Sequence, residues 1–337
     1  MATEIPKSLS ILRNACARDG VAFVIVDGFS GFVARLTKGA RSCLVGAAGI
    51  GVYPINRAAP FAIARDKAFT HYVLRQAGFG APVGEHFFLR PPGRYDRPPG
   101  RERSDALHYA TKLSDGFARP LVAKPNGGKG AKLVAFVRDE GGLDAALDRI
   151  GEVDEIGLVQ AFIDAPEYRL FLVDGEIAFA YAKSRATIRG DGTTAIHGLC
   201  NALAQAPHDP LADSHFFRSQ LETRGLTLDS VLAAGKEIPT SFVSNISAGG
   251  RFAGFFEPTS DLKFWARKLA RAVSLRVTGI DVFSPSRLAN LDDIVVLDVN
   301  GSPNLGTLFD LGHHDLVFEV WRTILRKTFD EAWPEGF

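Results

Sequence analysis

The sequence predicts an α/β fold of the α+β kind. Three observations carry that expectation. Short apolar runs of strand length recur at 21–26, 121–123, 158–163, 277–283 and 294–300. Asp-Gly and glycine-rich turns join neighbouring runs into hairpins. Stretches with helical spacing lie between them.

Composition bounds the class. The chain has 337 residues, an apolar fraction of 46% and 39 basic against 38 acidic residues, a net charge of +1. No global field points to nucleic acid or to an anionic membrane. Cys16, Cys43 and Cys200 form no metal spacing and leave an odd thiol, so a reducing compartment is expected. The first ten residues lack the plan of a signal peptide. No apolar run approaches the roughly 18–20 residues of a membrane helix. The expectation is a cytoplasmic protein with no nucleic-acid or membrane partner.

Taken in order, 8–19 has weak helical spacing and ends at Gly20. Strand candidates at 21–26, 32–36 and 42–46 follow, so 1–64 reads as a small α/β unit that supports the rest. Asp66 reads as a helix cap, with Phe69, Val73 and Ala77 at helical spacing and Gly78 at the stop. The segment 90–103 is rich in Pro, Gly and Arg and reads as an exposed loop. Leu143, Leu147 and Ile150 mark an amphipathic helix. Glu167–Val173 and 177–182 form a hairpin around Asp174-Gly175. A helix over 259–277 shows Leu262, Trp265, Leu269 and Val273 on one face, with Trp265 in the core. The expected units are 1–64, 65–163 and 164–337.

The segment 120–136 carries the first chemical signal. Two apolar runs, 121–123 and 133–137, flank Lys124, Gly127, Gly128, Lys129, Gly130 and Lys132. Glycine lets backbone approach a ligand and turn its N–H groups inward, and lysine adds positive charge. Polyphosphate suits that combination. No Gly-Lys-Ser/Thr opens a helix here, so this is not a Walker loop. Alone, the segment also fits a surface hairpin.

The second signal lies near the C-terminus. Asp281 interrupts an apolar strand, and so do Asp298 and Asn300 in the next one. A buried acid is costly unless it is paired or holds a metal. Residues two apart on a strand share a face, so Asp298 and Asn300 project together. Three hard oxygens fit Mg²⁺; a strand end capped by Asp and Asn is the plainer alternative. His313 and His314 follow closely and read as a solvated turn pair.

Taken as an ordered set, these blocks resemble the ATP-grasp superfamily over about 65–310. VAKPNGGKGAKLV resembles its phosphate strand and glycine loop. VQAFIDAPEYRLFLVDGEIAFAYAKSRATIRGDGTT resembles its adenine hinge and long hairpin. GIDVF and LDVNGSPNLG resemble its metal strands. GDGTTAIHGL, LTLDSVLAAGKEI and NISAGGRF are similar to amino-acid ligases of the cyanophycin synthetase type.

The resemblance implies an ATP-grasp fold, ATP and Mg²⁺ as cofactors, and amide formation between an amino acid or small peptide and an amine. It places Lys124, Gly127, Gly128 and Gly130 at the phosphates. Gln160, Ala161 and Phe162 read the adenine, with Glu167 at the ribose. Arg169, Lys183, Asn245 and Ser247 serve the transferred phosphoryl group and the substrate, and Asp281, Asp298 and Asn300 hold Mg²⁺. Gln160 and Asp298 stand where relatives carry Glu, and Lys183 where they carry Arg, without its bidentate fork. Two alternatives stay open: a ligase acting on a ribosomal peptide, and a nucleotide-binding module with weak turnover. A homodimer is the expected assembly.

Overall fold

The computed structural model describes residues 5–47, 49–90, 98–128, 130–204, 214–246 and 249–330. It opens with α1 (Lys7–Arg18), β1 (Ala22–Ile25), β2 (Val33–Lys38) and β3 (Arg41–Gly46). The three strands pair antiparallel in that order.

Then follow α2 (Ala58–Ile63), α3 (Lys67–Gln76), β4 (Gly84–Phe88), α4 (Arg103–Ser114), β5 (Leu121–Pro125), β6 (Ala135–Val137), α5 (Glu140–Gly151) and β7 (Ile156–Ala161). The strands form an antiparallel sheet in the order β4-β7-β5-β6. Leu143, Leu147 and Ile150 of α5 and Ala106 and Ala110 of α4 join its core, as the α5 periodicity required. Asp66 caps α3 by accepting from Phe69 N–H at 2.8 Å.

The hairpin of β8 (Glu167–Val173) and β9 (Glu176–Ser184) closes through Asp174 (φ 52) and Gly175 (φ 78). A two-residue turn with both φ positive matches the strand twist, and Asp-Gly supplies it. A small unit follows: β10 (Thr187–Arg189), α6 (Ile196–Ala204), α7 (Ser214–Glu222) and β11 (Glu237–Pro239), around Ile188, Ile196, Phe217 and Ile238. The rest is β12 (Arg251–Phe255), α8 (Ser260–Ala272), β13 (Val277–Phe283), β14 (Val295–Asn300), α9 (Gly306–Asp310) and α10 (His314–Phe329).

The second large sheet has the order β12-β9-β8-β13-β14, all antiparallel. Its central strands β8 and β13 are buried on both faces. Leu262, Ala266 and Leu269 of α8 pack with Leu170, Leu172, Ile280 and Val282 on one side. On the other, Phe171, Val173 and Val277 join a core with α1, the three-stranded sheet and Trp321 and Ile324 of α10. Each fully buried large apolar side chain there contributes about 1.5–3 kcal/mol. No described helix is long and apolar enough to cross a membrane.

Several readings need correction. In α3 the buried residues are Ala68, Thr70, His71 and Leu74, whereas Phe69 is exposed. The run 133–137 gives a strand only from Ala135. Residues before it form a turn with positive φ at Gly130, Ala131 and Leu133, which breaks the ladder. The 90–103 segment is partly structured: Arg101 pairs with Glu85 at 2.7 Å and Arg103 starts α4, while 91–97 lie outside the described residues. Trp265 is half-buried, set edge-on to Phe79 at 5.4 Å. His314 is exposed, but His313 is half-buried against Phe252 and Phe255 instead of lying in a solvated turn.

Candidate functional site

Two sheets of different chemistry face each other across one cleft. The four-stranded sheet brings Lys124, Gln160 and Ala161, with Phe162 and the loop glycines Gly127, Gly128 and Gly130 beside them. The five-stranded sheet brings Glu167, Arg169, Lys183, Asp281, Asp298 and Asn300. Asn245 lines the cleft too, and Ser247 lies outside the described residues.

Strand register explains the second group. Asp281 stands opposite Asp298 on one side and Arg169 on the other. Partners across a ladder share a face. Between Asp281 and Val282 the ladder skips Leu297, so β14 carries one extra residue there. A bulge of this kind bends the strand and re-aims its side chains.

Asp281 is buried and accepts from three donors. Arg169 donates Nε to Oδ1 at 2.5 Å and Nη2 to Oδ2 at 2.6 Å. Lys183 Nζ donates to Oδ1 at 2.6 Å and to Glu167 Oε1 at 2.6 Å. Burial alone would raise the Asp281 pKa, but Arg169 and Lys183 outweigh it and hold it down, to about 2. Burial opposes charge on Lys183 and Arg169 as well, and Asp281 reverses the sign for both, so both are raised. Two cations and two carboxylates thus neutralise one another in a dry setting.

Gly279 makes that arrangement possible. A Cβ there would lie 2.9 Å from Arg169 Nη1 and 2.7 Å from Pro303 Cβ. Gly279→Ala is therefore expected to push Arg169 off Asp281 and to cut turnover at least tenfold. Far-UV circular dichroism should remain that of the wild type. A variant of full activity would show that the guanidinium position is irrelevant.

Lys124 is also buried. Burial, then the nearby Lys67, lowers its pKa to about 8, while Asp298 and Glu167 oppose the shift. Lys67 had not been singled out from sequence, yet it lines the same cleft. Its Nζ donates to the carbonyls of Asn126 at 3.1 Å and Gly128 at 2.6 Å. Asn126 accepts from Ala68 N–H at 2.9 Å and donates to Asp66 at 2.7 Å, tying the loop to the start of α3. The adjoining cap at Asp66 was visible in sequence; its bond to a residue sixty positions on was not. Nor does every loop amide turn inward as expected, since Gly127 N–H donates to Asp154 at 2.8 Å.

The Gln160 side chain lies 3.2 Å from His71 Nδ1. Burial, then Lys124, drives the His71 pKa down to about 3, so this imidazole is neutral. Phe162 and Phe242 line the cleft within a cluster that includes Phe136 and Phe216. The cleft is thus lined by aromatic rings, by Lys67 and Lys124, and by the cluster of Arg169 and Lys183 with their carboxylates. A ligand with a flat apolar group and a polyanionic tail matches that lining.

Among the described residues no group of three or more His, Cys, Asp or Glu side chains is arranged to hold a metal. The donor set here is instead two carboxylates and the Asn300 amide oxygen, which also accepts from Ser302 N–H at 2.9 Å. Hard oxygens of that kind fit Mg²⁺, which completes its octahedron with water and phosphate.

The fold is of the ATP-grasp kind. The bifunctional glutathione biosynthesis protein GshAB of Streptococcus mutans is 29% identical over 247 residues, spanning 68% of this chain and 30% of that protein. Cyanophycin synthetase of Crocosphaera subtropica is 24% identical over 258 residues, 72% of this chain and 28% of that protein. A bifunctional glutathione synthetase from Pasteurella multocida superposes with a TM-score of 0.55 at 20% identity, covering 98% of this chain and 45% of that one. The chain spans about a third of the length of the curated relatives it matches. No family model matches it.

Proposed function

We propose that this chain is an ATP-dependent carboxylate–amine ligase acting on an amino acid or small peptide through an acyl phosphate. One observation carries the reading. Lys124 and the glycine loop from one sheet line the same cleft as Asp281, Asp298 and Asn300 from the other. The similarity to GshAB and cyanophycin synthetase agrees with it.

In this reading Lys124 and Lys67 bind the ATP phosphates, with Gly127, Gly128 and Gly130 above them. Gln160, Ala161 and Phe162 border the adenine, and Glu167 is nearest the ribose. Asp281, Asp298 and Asn300 would hold Mg²⁺, which supplies charge neutralisation to the β- and γ-phosphates when bound. A substrate carboxylate oxygen attacks the γ-phosphorus, the bond to the bridging oxygen breaks, and ADP leaves. Arg169 and Lys183 offset the charge on the phosphoryl oxygens and hold the acyl phosphate. The amine then attacks the acyl carbon, loses a proton and expels phosphate. Asn245 lies beside this step. The units 1–64, 65–163 and 164–337 would act as a support, a lid and a metal-bearing base.

Oxygen-18 tests the reading. Amino acids labelled in the carboxylate should pass one labelled oxygen to the released phosphate, in an amount equal to ADP. ADP formed with unlabelled phosphate would rule out the acyl phosphate.

A further inference from the structure

The row of side chains that starts at Asp298 does not stop at the charged centre. Arg169 stands opposite Tyr181 on β9, and Tyr181 stands opposite Phe255 on β12. The row therefore crosses the whole sheet on one face: Asp298, Asp281, Arg169, Tyr181, Phe255. Lys183 in turn stands opposite Phe252. Phe252 and Phe255 are three apart, and a regular strand would send them to opposite faces. The ladder instead slips by one residue between them, and Gly254 takes φ 111, a value that side-chain-bearing residues avoid. The bulge aims both rings at the face that carries Lys183 and Arg169.

There they form a shelf. Phe252 and Phe255 sit 5.0 Å apart, Tyr181 lies 5.4 Å from Phe252, and His313 closes the outer end at 4.9 Å from Phe255. Phe255 keeps 41% of its surface exposed although it sits in a strand. Neighbouring strands are about 4.8 Å apart, so the shelf begins one strand from Lys183 and reaches about 10 Å from Arg169. That is the reach of a side chain whose carboxylate lies on the two cations.

Resting on the ligase reading above, we infer that the carboxylate substrate carries an aromatic or bulky apolar side chain, seated on Phe252 and Phe255 beside the buried Tyr181. The shelf offers that side chain the rings of Phe252 and Phe255. Ring pairs in edge-on or offset contact attract beyond area burial alone, and the strand bulge pre-organises the shelf.

Hydroxylamine serves as a universal amine for the test. It attacks the acyl carbon, releases phosphate and a proton, and leaves a hydroxamate, so the natural amine need not be known. The full chain with Mg²⁺ and ATP is offered phenylalanine, tyrosine, leucine, aspartate, lysine and glycine. Hydroxamate is expected from the aromatic and branched apolar acids at a kcat/KM at least tenfold above the others. Phe255→Ala, at an exposed position, should raise the KM for those acids at least tenfold. Its kcat and its KM for ATP should stay within threefold of the wild type, and Phe255→Tyr should restore the affinity. Hydroxamate from aspartate, lysine or glycine at equal or higher efficiency overturns this substrate class and leaves the ligase reading standing. An unchanged KM in Phe255→Ala does the same. No hydroxamate from any acid overturns both.

Discussion

Lys124→Met is expected to lower turnover by about 10²–10³-fold, the usual loss when one charged donor leaves a dry phosphate site. Calorimetric ADP binding should fall below detection in the same variant. The protein itself should become more stable. Burial, followed by Lys67, holds the Lys124 pKa near 8, below the ordinary 10.5. The folded state therefore binds this proton more weakly than the unfolded chain does. Below pH 8 that difference opposes folding by on the order of 3 kcal/mol, and it disappears as pH rises from about 8 to 10.5. Methionine has similar length and no charge to desolvate. Chemical denaturation at pH 7 should show the variant as the more stable protein, with the gap closing by pH 10.5. A variant that binds ADP normally would remove Lys124 from the phosphate site.

The same shift fixes the pH dependence of binding. Phosphates favour the charged ammonium, so ADP affinity should decline as pH rises through about 8, and binding at pH 8–9 should take up protons. Calorimetry in two buffers of different ionisation enthalpy measures that uptake directly. Proton release would contradict the assignment.

Asp281→Asn should have the second large effect, and on stability as well as activity. The carboxylate is buried and anchors Arg169 and Lys183 together. Its loss leaves Lys183 with Glu167 and takes from Arg169 the carboxylate it is bonded to, and breaking a buried ion cluster from one side costs about 3–5 kcal/mol. A fall of the unfolding midpoint, together with loss of turnover, is the expected result. The same cluster sets the order of binding. With both Asp281 oxygens held by cations, a divalent ion gains little until phosphates draw Arg169 and Lys183 away. Electron paramagnetic resonance of Mn²⁺ should show no capture by the nucleotide-free protein at micromolar concentration and clear capture once ADP is present. Tight Mn²⁺ binding without nucleotide would contradict this competition.

The hairpin at Asp174-Gly175, the cap at Asp66 and the α5 face at Leu143, Leu147 and Ile150 were legible because each rests on contacts within one or two turns of chain. So were Asp281, Asp298 and Asn300, because polar or charged groups inside an apolar strand are costly and demand a partner, and Lys124, because it precedes a loop rich in glycine and lysine. Lys67 escaped because its acceptors, the Asn126 and Gly128 carbonyls, lie in a different element. His71 carries no local signal in the sequence, and only packing makes it a neutral partner of Gln160. The helix α10 was passed over, although it closes the core that β1–β3 share with the large sheet.

By itself the sequence determined the elements with local periodicity, the class of fold and the charged groups that had to find a partner. Only the tertiary structure decided their partners: Asp281 gripped by Arg169 and Lys183, Gly127 turned towards Asp154, and two phenylalanines brought to one face by a bulge. The physical reason is range. Periodicity and capping are written in neighbours a few residues apart, whereas ladder register, bulges and burial are set by strands that meet from distant parts of the chain.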